Sequence, residues 1–91
     1  MAGGDPVSWM VVEPGWKVVT ADDEDVGRVD EVVGDLEADI FTGLKILTGL
    51  LGKPKYVPSE QVGVITEGSV RLKLTHAEAE RLADWADVPA P

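Results

Sequence analysis

Four consecutive acids, Asp22-Asp23-Glu24-Asp25, are the residues of this chain whose type and clustering could hold a cation. A calcium loop of the EF-hand kind spaces its ligands and needs glycine at its sixth position and glutamate at its twelfth. Counted from Asp22 those positions are Gly27 and Val33, and counted from Asp23 they are Arg28 and Gly34, so the pattern fails in both registers. The run reads as a solvated hairpin turn, with weak, non-specific cation binding left open. Gly52-Lys53 resembles the end of a phosphate loop, but Leu47 stands where the first glycine belongs and Pro54 follows the lysine. The single histidine, His76, falls at the first residue of a predicted helix, where the helix dipole disfavours its cation. It is therefore neither a poised base nor half of a metal pair. Ser8, Ser59 and Ser69 have no second histidine to activate them. With no cysteine in the chain, neither a disulfide framework nor a thiolate zinc site can form. The expectation is a protein that is not an enzyme and that carries no cofactor and no metal.

The elements that must position any other kind of site are mostly strands. Gly15 to Thr20 is β-branched and aromatic, the acidic run turns the chain, and Val26 to Val33 returns. Val26, Val29, Val32 and Val33 do not alternate cleanly and by spacing also fit a helix, but Gly27, Gly34 and the valine content argue for a strand with a bulge. Ile40 to Leu47 reads as a third strand with Leu44 and Ile46 on one face and Lys45 between them. Gly49 to Lys55 breaks it, and Tyr56-Val57-Pro58 must lie at an edge or a strand start, because proline cannot donate to a ladder. Ser59-Glu60-Gln61 reads as a turn or helical step, and Val62 to Thr66 as a strand. Glu67-Gly68 closes a tight turn before Ser69 to Leu74, whose Val70, Leu72 and Leu74 point inward. Thr75-His76-Ala77-Glu78 is a capping box opening a helix through Ala86. The fold class expected is mainly β, a small antiparallel barrel with one C-terminal α-helix. It divides into an N-terminal arm or added strand (1–14), the β domain (15–74) and a helix with tail (75–91).

Ninety-one residues form one domain, and a core of that size is a single small layer or barrel. The formal charge of −9 repels phosphate backbones and anionic membranes, so nucleic acid is an unfavoured partner. The charge is unevenly spread along the chain. Residues 1–39 hold eleven acids against two bases, while residues 40–91 hold six of each, which allows a molecule with two electrical faces. No stretch approaches the ~20 apolar residues of a membrane span, the N-terminus has no signal-like segment, and the absence of cysteine fits a reducing compartment. A cytoplasmic location without membrane attachment is expected.

Gly15-Trp16-Lys17-Val18-Val19, Asp22-Asp23-Glu24-Asp25-Val26-Gly27-Arg28-Val29 with Val32, the Tyr56-Val57-Pro58…Val62 piece and Gly68-Ser69-Val70-Arg71-Leu72 together resemble the PRC-barrel family over about residues 13–74. That resemblance implies a small β-barrel of the kind found in the photosynthetic reaction-centre H subunit, in a ribosome maturation factor and in short free-standing bacterial proteins. Such relatives dock onto other proteins, and several self-associate. The resemblance implies no catalytic residue, and its pattern specifies a fold far better than a function.

Two apolar pieces are not accounted for by a core. Leu50-Leu51, held between Gly49 and Gly52, either tucks over the barrel mouth or forms a contact loop. Trp9-Met10-Val11-Val12 either packs on its own barrel as a strand or plug or is exchanged with a second copy. Trp16 and Trp85 are simplest as core residues. The functional expectation is a non-enzymatic protein–protein adaptor, a homodimer, using Trp9, Met10, Val11, Val12, Leu50 and Leu51 as contacts with partners whose identity the sequence does not give. The alternative is an RNA- or ribosome-associated module whose Lys45, Lys53, Lys55, Arg71 and Lys73 converge on one face, with Tyr56 the one aromatic residue among them.

Overall fold

Valine-rich stretches become strands where turn chemistry brackets them, and the acidic run supplies the first such bracket. In the computed structural model, which describes residues 5–87, β1 (Lys17–Val19) and β2 (Asp25–Asp35) form a hairpin. β2 pairs antiparallel with β3 (Ile40–Thr48), and β3 with β4 (Lys53–Pro58). β5 (Val62–Thr66) and β6 (Ser69–Leu72) close a second hairpin around Glu67-Gly68.

The expected irregularity in β2 is present, and it has a specific residue. Val29 faces Ile46 and Glu31 faces Lys45, which leaves Asp30 as the extra residue of a bulge. That single insertion converts a period of two into the three-residue spacing of Val29 and Val32 and keeps both directed at the interior. Gly27 sits where β2 passes closest to β3, and a Cβ there would collide with the carbonyl oxygen of Leu47. Val18, Val29, Leu44, Ile46, Val57, Val70 and Leu72 fill the concave side and are essentially inaccessible.

The sheet is mixed rather than antiparallel throughout. Its order is β4-β3-β2-β1-β6-β5, and β1 runs parallel to β6, with Val18 opposite Val70. The reason lies in the connection between β4 and β5. A hairpin reverses the chain, but Ser59–Gln61 forms a single 3-10 turn that carries β4 into β5 around a corner. The sense of travel is kept, so β6 returns parallel to the first strand. Because that three-residue corner also joins the two outermost strands of the sheet, the sheet must curl, and the result is a six-stranded half-barrel.

Each outer strand is met at one point by a segment from outside the sheet. Before β1, Val7 donates its amide to Ile65 of β5 at 2.8 Å and Pro6 bridges Thr66. After β6, the capping box forms as expected: the Thr75 hydroxyl accepts from the Glu78 amide at 3.2 Å and the Glu78 carboxylate accepts from the Thr75 amide at 2.9 Å. The helix it opens is far shorter than the expected 75–86, because α1 spans only His76–Ala79. Its competitor is the unpaired edge of β4. The carbonyl of Ala83 accepts from the Tyr56 amide at 3.0 Å and Asp84 bridges Lys55, so the chain leaves the helix to cap that edge and then makes a 3-10 turn at Trp85–Asp87. Satisfying ladder groups at a sheet edge outweighs the modest helix propensity of Glu80 to Ala86.

Candidate functional site

The β3–β4 hairpin ends in Gly49-Leu50-Leu51-Gly52, a four-residue loop whose glycines both take positive φ (71° and 64°). Those two left-handed positions fold the chain back so that Leu50 and Leu51 occupy the apex, with the Gly52 amide donating to the Gly49 carbonyl at 3.3 Å. Relative exposure there is 106% for Leu50 and 97% for Leu51. Of the two arrangements open from the sequence, tucking over the barrel mouth is therefore not the one adopted. No other large apolar residue described as exposed stands so far out of its own fold; Leu36 at 62% comes next.

Beside the tip lies a cleft of about 360 Å³. Its floor is Val26, Ile46, Ala79 and Leu82, and its rim carries Asp25 and Glu80. Thr48 and Gly49, the stem of the tip, form one wall, and the start of α1 forms another. His76 also lines it. Among the described residues, no group of three or more His, Cys, Asp or Glu is arranged to hold a metal.

The second expected apolar contact is divided by the structure. Trp9–Val11 is one 3-10 turn, capped by the Ser8 hydroxyl accepting from the Met10 amide at 3.1 Å, and it is not a strand. Trp9 stacks on Phe41 with ring centroids 5.1 Å apart, and Val12 is buried in the core. These two residues are engaged within their own chain, whereas Met10 and Val11 remain about half exposed.

Four of the five expected cations are matched by an acid, while Lys73 is exposed and has no acid partner among the described residues. Lys45 pairs with Asp30 at 3.3 Å and lies 5.2 Å from the centre of the Trp85 ring, which itself packs against Tyr56. Lys53 and Lys55 share Asp84, at 3.7 and 3.3 Å. Lys55 also donates to the Leu82 carbonyl at 3.1 Å, while the buried Asp84 oxygen that both lysines approach accepts no hydrogen bond and is compensated by charge alone. Arg71, across the sheet on β6, binds Asp23 and donates to the Thr20 carbonyl at 3.1 Å. Two of these pairs, Lys45–Asp30 and Arg71–Asp23, join the acidic and the basic parts of the sequence, because β2 lies beside β3 and the acidic turn lies beside β6. The expected two-faced distribution is absent from these pairs.

The acidic turn is itself a structural knot. Thr20 is fully buried, donates its hydroxyl to Asp22 and accepts from the Glu24 amide at 3.0 Å. Asp22 in turn accepts from the His76 amide at 3.0 Å, tying the β1–β2 turn to the start of α1. The Thr20 hydroxyl bond, opposed by desolvation and helped to a lesser degree by the His76 amide, holds the Asp22 carboxyl below its ordinary pKa of 3.8. Tyr56 moves the other way: desolvation and then the nearby Glu60 carboxylate raise its phenol above the usual 10.0, while its hydroxyl donates to the Thr42 carbonyl at 3.0 Å.

Sequence reasoning missed Asp84 as the partner of two lysines and missed the cleft altogether. A lone aspartate inside a predicted helix carries no signal of a sheet-edge role, and the cleft draws its lining from β2, β3, β4 and the α1 region, which are far apart in sequence.

The chain belongs to a family described as an uncharacterized protein conserved in bacteria (DUF2171), whose model matches residues 12–80. This corrects the PRC-barrel resemblance, since the pieces that carried it lie almost wholly within the matched segment and that segment answers to a different family. Glycines, valines and a polar turn are what many small curled sheets need, which is why they suggested the wrong family name and the right kind of fold. No curated protein matches the chain. Among the described residues, no helix is long and apolar enough to cross a membrane.

Proposed function

We propose that this family member is a non-enzymatic protein–protein interaction module that associates with itself as a homodimer, with the Leu50-Leu51 tip as its principal contact. The observation that carries the reading is the near-complete exposure of two adjacent leucines at a hairpin apex. A solvated turn selects polar residues, and contiguous exposed apolar surface marks contact sites. Met10 and Val11 supply a second, smaller exposed pair. The non-enzymatic part is supported by the inventory of the chain, with its single histidine and no cysteine. The RNA-binding alternative draws less support, because Lys45, Lys53, Lys55 and Arg71 are each already matched by an acid.

Association through strand addition is disfavoured where the edges of β4 and β5 are already paired, so the contact is assigned to side chains. Sedimentation velocity on the purified protein at about 100 μM, a concentration that populates even a weak dimer, is expected to show a dimer that Leu50→Asp/Leu51→Asp converts to a monomer. A wild-type chain that is strictly monomeric at that concentration refutes the proposal.

A further inference from the structure

The face that presents the tip also presents a receptacle for one. We infer that the cleft beside the hairpin receives the Leu50-Leu51 tip of a second copy, reciprocally, about a two-fold axis. This rests on the self-association proposed above and adds where each tip goes. Three observations carry it.

The first is chemical match. The cleft floor is aliphatic, from Val26, Ile46, Ala79 and Leu82, and the tip offers two aliphatic side chains. A volume of about 360 Å³ lies at the small end of the roughly 300–1,000 Å³ of binding pockets, fitting a pair of side chains rather than a folded segment.

The second is charge. Asp25 and Glu80 stand on the rim, and the cleft's own cation, Lys55, is already held by Asp84 at 3.3 Å and by the Leu82 carbonyl. Towards an arriving group the rim is acidic. The tip brings Lys53, directly after Gly52, with 62% of its side chain exposed and only a 3.7 Å hold on an aspartate it shares. Leucines followed by a loosely held cation suit an apolar floor with an acidic rim.

The third is placement. Thr48 and Gly49 belong to both the stem of the tip and the wall of the cleft, so donor and receptacle lie side by side on one surface. A patch that carries both halves of a contact is self-complementary, which an isologous two-fold interface demands and an interface with an unrelated partner does not.

Two variants test this as a pair. Leu50→Asp/Leu51→Asp removes the tip and leaves the cleft; Asp25→Arg/Glu80→Arg reverses the rim and leaves the tip. All four positions are exposed, and of their side chains only Asp25 is described as hydrogen-bonded, accepting from the Gly27 amide at 3.1 Å, so circular dichroism should match wild type while Asp25→Arg/Glu80→Arg melts slightly lower. Sedimentation should show each variant alone dissociating at least ~100-fold more readily than wild type. An equimolar mixture should form a heterodimer, weaker than the wild-type homodimer, because the intact tip of one variant enters the intact cleft of the other. If Asp25→Arg/Glu80→Arg dimerises like wild type, the tips pack on each other or elsewhere, and the inference fails while the self-association stands. A mixture still monomeric at about 1 mM, a limit at which even very weak pairs assemble, also overturns it. A wild-type monomer removes the self-association itself, and the inference with it.

Discussion

Replacing Asp84 with alanine tests whether the chain's C-terminal segment really clamps the β4 edge. Lys55 is 15% exposed and Asp84 42% exposed, with 3.3 Å between them. An exposed ion pair contributes about 0.2–1 kcal/mol, whereas removing one partner of a fully buried pair costs about 3–5 kcal/mol. This pair lies between those cases, since one member is nearly enclosed and the other is wet. Lys55 keeps the Leu82 carbonyl at 3.1 Å as a second acceptor, which limits the loss further. The expected destabilisation is therefore about 1–2 kcal/mol, which for a domain of this size lowers the melting temperature by about 4–16 °C. Lys53 shares the same carboxylate, but at 3.7 Å and with 62% of its side chain in water. Lys53→Ala should consequently cost under about 0.5 kcal/mol. Urea unfolding of Asp84→Ala, Lys53→Ala, Lys55→Met and the Lys55→Met/Asp84→Ala double variant would separate these terms, Lys55→Met keeping the apolar stem while removing the charge. The double variant should be less destabilised than the sum of its parts. If Lys53→Ala costs as much as Asp84→Ala, or the double variant is simply additive, burial does not govern this cluster and the reasoning fails.

Gly27→Ala should destabilise the fold by more than about 2 kcal/mol, since its Cβ meets the Leu47 backbone and backbone cannot yield as a flexible side chain does; chemical denaturation that finds a change below 0.5 kcal/mol, the range of ordinary surface substitutions, contradicts the β2–β3 approach described above. At acid pH, the depressed carboxyl of Asp22 sets the sign of the response. Its contribution is fully present above the ordinary value of 3.8 and is lost as pH falls through the lower folded value. Melting followed from pH 6 down to about pH 2 should show Asp22→Asn and wild type converging at the acid end; a gap that stays constant across that range argues against the link from Thr20 and His76 to Asp22.

Local chemistry made much of this fold legible. The alternation of Val70 and Leu72, the Leu44/Ile46 pair, the capping box at Thr75 and the helical step at Ser59 each follow from interactions within a few residues, and each is present, although the last strand ends at Leu72, short of the expected Leu74. What was not legible depends on groups far apart in sequence. The parallel pairing of β1 with β6 follows from a corner that preserves direction, and a three-residue polar step looks the same in sequence whether the chain turns back or turns a corner. The helix expected through Ala86 had nothing against it locally, but the free amide of Tyr56 on an edge strand is a demand that no window around residue 83 contains. The candidate site was half legible for the same reason. Two leucines between glycines are conspicuous in any reading, whereas a cleft assembled from β2, β3 and the start of α1 is a tertiary fact.

The partly paired edges narrow what any partner can do. A curled sheet of this size with open edges would pair strand to strand with almost any extended chain, and charge alone would be a weak defence. Here Pro6 and Val7 meet β5 at Ile65 and Thr66, and Ala83 and Asp84 meet β4 at Lys55 and Tyr56, so part of each edge is already paired within the molecule. Proline at the β5 bridge is suited to that place, because its missing amide leaves no ladder donor facing outward. With part of each edge taken, side chains carry more of any specificity, and the tip is where the chain spends apolar side chains without a return inside its own core. Leu50 and Leu51 can change to aspartate without touching a buried neighbour, whereas Trp9 and Val12 cannot be altered without disturbing Phe41 and the core. A contact assigned to the tip can therefore be removed while the fold is kept, and that separability makes association at this hairpin testable apart from stability.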